Sequence, residues 1–64
     1  MHWNDLEDIA EALEENYPDE DIEDLRLVDL HDLVITLHEF NDDPEKSQDR
    51  VLEAILDIWT ELRK

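Results

Sequence analysis

Apolar residues recur at helical spacing in three stretches of this chain, with polar and acidic residues filling the positions between them. Leu6, Ile9, Ala10, Leu13 and Tyr17 fall on one face of a first helix. Asn4 is placed to cap it, with Glu7 three residues on. Asp5, Glu7 and Asp8 lie where the helix dipole favours acids. Tyr17-Pro18 ends the helix, because proline pushes the preceding residue out of the helical region. Residues 18–28 form a connection in which Ile22, Leu25 and Leu27 make either a helical turn or a brief extended segment. Asp29 reads as the N-cap of a second helix carrying Leu30, Leu33, Val34, Leu37 and Phe40, which ends in the turn residues Asn41-Asp42. Asp43 followed by Pro44 then reads as a cap and a first helical residue. The third helix should run to about Leu62, with Val51, Leu52, Ile55, Leu56, Ile58, Trp59 and Leu62 on a broad apolar face. The expectation is a single all-α domain over residues 1–64, a small three-helix bundle of the kind that includes winged-helix topologies.

Composition narrows what such a bundle can do. Sixty-four residues lie near the lower limit for a self-sufficient core, and the absence of cysteine excludes both disulfides and thiolate metal sites. No stretch is apolar for long enough to span a bilayer. The opening Met1-His2-Trp3-Asn4-Asp5 has neither the basic nor the apolar region of a secretory signal, so a cytoplasmic protein is expected. Twenty-one acids against five bases leave a formal charge of −16. Residues 1–25 hold 11 acids and no Lys or Arg, whereas residues 44–64 hold five acids and four bases. Nucleic-acid and anionic membrane binding both need cations that this chain lacks. A basic protein surface or a hard cation is the natural partner, and strong like charge favours a monomer.

The candidate chemistry is therefore carboxylate chemistry. On the expected third helix Glu45, Asp49, Glu53, Asp57 and Glu61 form an i, i+4 ladder, and Glu7, Glu11 and Glu14 or Glu15 repeat the theme on the first. Like charges at that spacing cost a few tenths of a kcal/mol per pair, which a partner-facing surface explains better than simple solvation. The run from Asp19 to Asp24 lacks the glycine and the ligand pattern of an EF-hand. His31 and His38, seven apart on the expected second helix, stand about 10 Å apart along its axis, too far to share an ion. Trp3, Tyr17, Phe40 and Trp59 suit core and core-edge positions, with Trp3 and Trp59 also candidate aromatic anchors for a partner. Ser47 is the only serine, no base is set beside it, and no glycine loop exists to cradle a phosphate, so catalysis is not expected.

Several fragments in register resemble the IscX family of bacterial iron–sulfur cluster assembly. They are Trp3 with Asp5, Ile9-Ala10-Glu11-Ala12-Leu13, Tyr17-Pro18-Asp19-Glu20-Asp21, Arg26, Asp29-Leu30-His31, Phe40-Asn41-Asp42-Asp43-Pro44, Leu52-Glu53-Ala54-Ile55-Leu56 and Trp59. The resemblance implies a compact helical protein related to the winged-helix topology. It also implies binding to the basic groove of a cysteine desulfurase, where frataxin and ferredoxin dock, with modulation of sulfur release and weak binding of ferrous iron. No cofactor would be tightly held. Glu11, Asp19, Asp21, Asp42 and Asp43 are the implied iron candidates; Glu7, Glu11, Asp29, Glu45, Asp49, Glu53 and Asp57, with Trp3 and Trp59, are candidates for partner binding. Asn41 departs from the acidic residue often found there in the family, which lowers the charge of its loop. Two alternatives remain beside the adaptor: an iron carrier for cluster assembly, and an acidic mimic of DNA.

Overall fold

The computed structural model describes residues 1–64. It contains three α-helices and no strand: α1 (Leu6–Asn16), α2 (Leu27–Ile35) and α3 (Asp49–Arg63). Single 3₁₀ turns interrupt the two connections at Ile22–Asp24 and Pro44–Lys46. The all-α bundle expected from the apolar spacing is thus what forms. α3 packs chiefly on α1, and α2 closes the remaining side. Twelve residues are buried and all are apolar; Trp59, Ile9, Leu13, Leu30, Ile55 and Val34 are fully enclosed.

The helix boundaries differ from the sequence pattern in ways that matter for the surface. α1 starts after Asp5, and Asn4 does not cap it. The chain turns at His2–Asp5, where Asp5 N donates to His2 O at 3.0 Å and the Asp5 carboxylate accepts from His2 N at 2.9 Å. Tyr17 and Pro18 end the helix as expected. The 18–28 connection uses both conformations the sequence left open. Ile22 enters the core from a 3₁₀ turn, and Leu25 and Arg26 are extended.

α2 starts three residues earlier than expected, with Arg26 and not Asp29 at the cap position, and ends five earlier than Phe40. Asp29 lies in the first turn, with Arg26 Nε donating to its carboxylate at 3.3 Å. At the other end the Thr36 hydroxyl donates to Leu33 O at 2.9 Å, an alternative to continued helix for a β-branched residue. Leu37 N then bonds Val34 O at 3.1 Å, tightening the exit. The strand of chain beyond is held elsewhere: Asn41 N donates to Met1 O, and Phe40 packs edge-on against Trp3 at 4.7 Å. His38 is therefore off the helix, and the two histidines do not share a helical face.

α3 starts at Asp49 and not at Pro44. Asp43 does act as a cap, its carboxylate accepting from Glu45 N at 3.0 Å, but it caps only the 3₁₀ turn. Ser47 and Gln48 are extended, and helix resumes where Val51 N and Leu52 N both donate to Gln48 O. The apolar period begins only at Val51, so nothing in residues 44–48 has a face to bury. Glu45 consequently falls out of the acidic ladder.

Candidate docking surface

α1 turns one edge inward through Ile9, Ala10, Ala12 and Leu13, which leaves Glu7, Asp8, Glu11 and Glu15 exposed on the other. None of these four carboxylates has a Lys or Arg within ion-pair distance. The ladder on α3 survives as Asp49, Glu53, Asp57 and Glu61, all exposed. Its charge is partly met, since Lys64 pairs with Glu61 at 3.1 Å and Arg50 lies on the same helix. Asp49, Glu53 and Asp57 are likewise unpaired, but α1 lies at the end of the chain that carries no Lys or Arg.

Glu14 alone of the α1 acids is spoken for. Arg63 grips its carboxylate with Nε at 3.1 Å and Nη2 at 3.2 Å, and Nη2 also donates to Tyr17 O at 3.0 Å while Nη1 reaches Glu20 O. Trp59 Nε1 donates to the same carboxylate at 3.2 Å, and the guanidinium lies over the Trp59 ring at 5.4 Å. The bonds from Arg63, then its charge and the Trp59 bond, hold the Glu14 carboxyl below the ordinary range against a desolvation cost. This clamp joins the C-terminal ends of α1 and α3. The i, i+4 spacing of Trp59 and Arg63 was its only sequence signal.

The candidate iron ligands are not gathered. Asp42 accepts from Asp43 N at 2.7 Å and from Trp3 N at 3.2 Å, one bond to each oxygen, and Asp43 O accepts from Trp3 Nε1 at 2.7 Å. The loop acids thus tie the N-terminal segment to the 38–44 turn. His31 completes this corner by stacking on Trp3 at 5.5 Å, with Nε2 bonded to Pro44 O at 2.8 Å. Glu11 stands apart on α1, and Asp19 and Asp21 lie within the connection, ahead of its 3₁₀ turn. No three His, Asp or Glu side chains converge to hold an ion, so these residues do not fit a dedicated ferrous site. Trp3 and Trp59 are buried, at 5% and 0% exposure, which removes both as surface anchors for a partner.

The two backbone bonds hold the Asp42 carboxyl below its ordinary value of 3.8. A depressed folded value means that the stability Asp42 contributes is complete above that ordinary value and is lost as pH falls through the folded one. Asp42→Asn is expected to flatten the acid limb of the stability profile, measured as denaturation midpoints from about pH 6 to about pH 2. An acid limb identical to that of the unaltered chain would show that the bonds to Asp43 and Trp3 are not made in solution.

Comparison with known proteins adds chemistry to this geometry. The family model described as iron–sulphur cluster assembly matches residues 1–64, the whole chain. An uncharacterized protein of Pseudomonas aeruginosa is 43% identical over 63 residues, spanning 98% of this chain and 96% of its own length. No helix is long and apolar enough to cross a membrane.

Proposed function

Since this chain belongs, over its full length, to the iron–sulphur cluster assembly family, we propose that it is a non-enzymatic accessory protein that docks electrostatically on a cysteine desulfurase and modulates its sulfur release. The observation that carries this reading is the α1 face, on which Glu7, Asp8, Glu11 and Glu15 stand exposed without internal counter-charges. A basic groove on a partner would neutralise them and draw the protein in over distances set by the ionic strength. Asp49, Glu53 and Asp57 on α3 and Asp29 on α2 extend the acidic field. Glu45, on its separate turn, adds charge without sharing their helix face. In this reading the protein acts as a monomer by occupying a surface, in competition with frataxin and ferredoxin for the same groove. Ferrous iron associates only weakly, through solvent-facing carboxylates such as Glu11, Asp19 and Asp21.

Calorimetric titration into purified cysteine desulfurase, at low and moderate salt and with and without ferrous iron, tests the proposal. Saturable binding that weakens as salt rises is expected. Absence of binding at low salt would sink it.

A further inference from the structure

α2 is the most apolar of the three helices, and the residues it exposes are Val28 and Asp32. Six of its nine residues are apolar, yet only Leu30 and Val34 are buried. Val28 is 60% exposed, more than the other large apolar residue at the surface, Leu62, at 45%. Helical spacing sets Val28 one turn before Asp32 and Asp29 one turn before Leu33, on adjoining ridges. Beside these ridges Leu25 and Leu33 floor a notch of about 450 Å³, rimmed by Asp21, Asp24, Asp29 and Asp32. Side chains that alternate in this way between apolar floor and acidic rim leave water in contact with leucine and valine, at a free-energy cost that a partner would remove.

We propose that the outer face of α2 is the contact surface for a basic amphipathic segment of a partner protein, whose apolar side chains cover Leu25, Val28 and Leu33 and whose Lys or Arg heads meet the rim. The inference rests on the adaptor reading above and names the face and the partner chemistry. Charge selects the occupant. Arg26 is already engaged with Asp29 at 3.3 Å, the His31 imidazole lies 3.9 Å from Asp32, and no Lys or Arg is within ion-pair distance of Asp21, Asp24 or Asp32. A second copy of this chain would set the same carboxylates against each other. A bare cation would gain nothing from the leucines, whereas the alkyl stem of Lys or Arg covers apolar surface while its head stays among the acids. Crowding on the rim is visible in Asp24, whose carboxyl is held above its ordinary value by the hydrogen bond and charge of Asp21, and further by Glu23. A raised folded value means that this group's favourable contribution is complete below the ordinary value and lost as pH rises through the folded one. At neutral pH that contribution is absent, and a cation placed between Asp21 and Asp24 would offset their mutual repulsion.

The test is an NMR titration of the isotope-labelled chain with a synthetic helical peptide having leucines on one face and flanking lysines. A lysine–glutamine peptide of equal length and charge is the control. Shift changes are expected to centre on Leu25, Val28, Asp29, Asp32 and Leu33, with the control binding roughly tenfold more weakly. Val28→Gln should weaken the leucine–lysine peptide about fivefold without moving the melting midpoint, because the side chain is already exposed. Asp24→Asn should lower affinity for the leucine–lysine peptide more than Glu53→Gln, an equal change of charge away from this face. Equal response to both peptides, or changes centred on α1 or α3, would overturn the assignment. The same variants titrated into cysteine desulfurase separate the two readings. Failure of the unaltered chain to bind refutes the desulfurase and leaves the peptide result to decide this face. Binding indifferent to Val28→Gln and Asp32→Asn refutes this face alone.

Discussion

Trp59→Ala is expected to leave the chain largely unfolded at 25 °C. Trp59 is the largest of the fully enclosed side chains, and it sits where α1 and α3 meet. Deleting such a ring from a core typically costs about 3–5 kcal/mol, from lost transfer energy and the cavity left behind. A 64-residue domain without disulfides has on the order of 3–10 kcal/mol in all. Two further interactions fail with the ring: the bond from Nε1 to Glu14 and the stacking of Arg63. Trp59→Phe keeps most of the apolar volume and loses the polar bond, so its cost should be smaller, on the order of 1–2 kcal/mol. Far-UV circular dichroism in a urea series measures both. A Trp59→Ala midpoint within error of the unaltered chain would mean that α1 and α3 are not joined through this residue.

The same pair of helices shows what the sequence carried and what it could not. Ile9 with Leu13, Leu30 with Val34, and Leu52 with Ile55 and Trp59 were all legible from periodicity, because a helical apolar stripe has one place to go. The ends of the helices were less so. Phe40 continues the stripe of α2 in sequence, yet its partner is Trp3, and nothing local announces that contact. Acids were legible as charge but not by what they face. Asp42 and Asp43 read like ligands and serve as acceptors, Asp42 for the backbone N–H groups of Trp3 and Asp43, and Asp43 for Glu45 N and Trp3 Nε1; Trp3 lies about forty positions away in sequence. Asp21 and Asp24 meet Asp29 and Asp32 only because the connection folds back on α2, and its conformation was the one segment the pattern left open. The α1 surface was legible for Glu7, Glu11 and Glu15, since acids on a helix need only the helix to share a face, but not the withdrawal of Glu14 into the clamp with Arg63 and Trp59.

That surface and the face of α2 should fail differently when altered. Glu7→Lys, Asp8→Lys and Glu11→Lys together change the charge of α1 by six units and touch no buried atom. If α1 steers the approach to a basic desulfurase and α2 makes the contact, the triple variant loses association rate and keeps its dissociation rate. Steering of this kind is worth factors of about 10–1,000 in rate, so a loss on the order of 100-fold at low ionic strength is expected. The two proteins should converge as salt rises, because the Debye length falls from about 30 Å at 0.01 M to about 3 Å at 1 M. Val28→Gln should show the reverse, with an unchanged association rate and faster dissociation at every salt concentration. Stopped-flow association and dissociation by chase resolve the two rates. A triple variant that dissociates faster, independently of salt, would move the contact itself onto α1; one that associates normally would leave the steering to the α3 ladder.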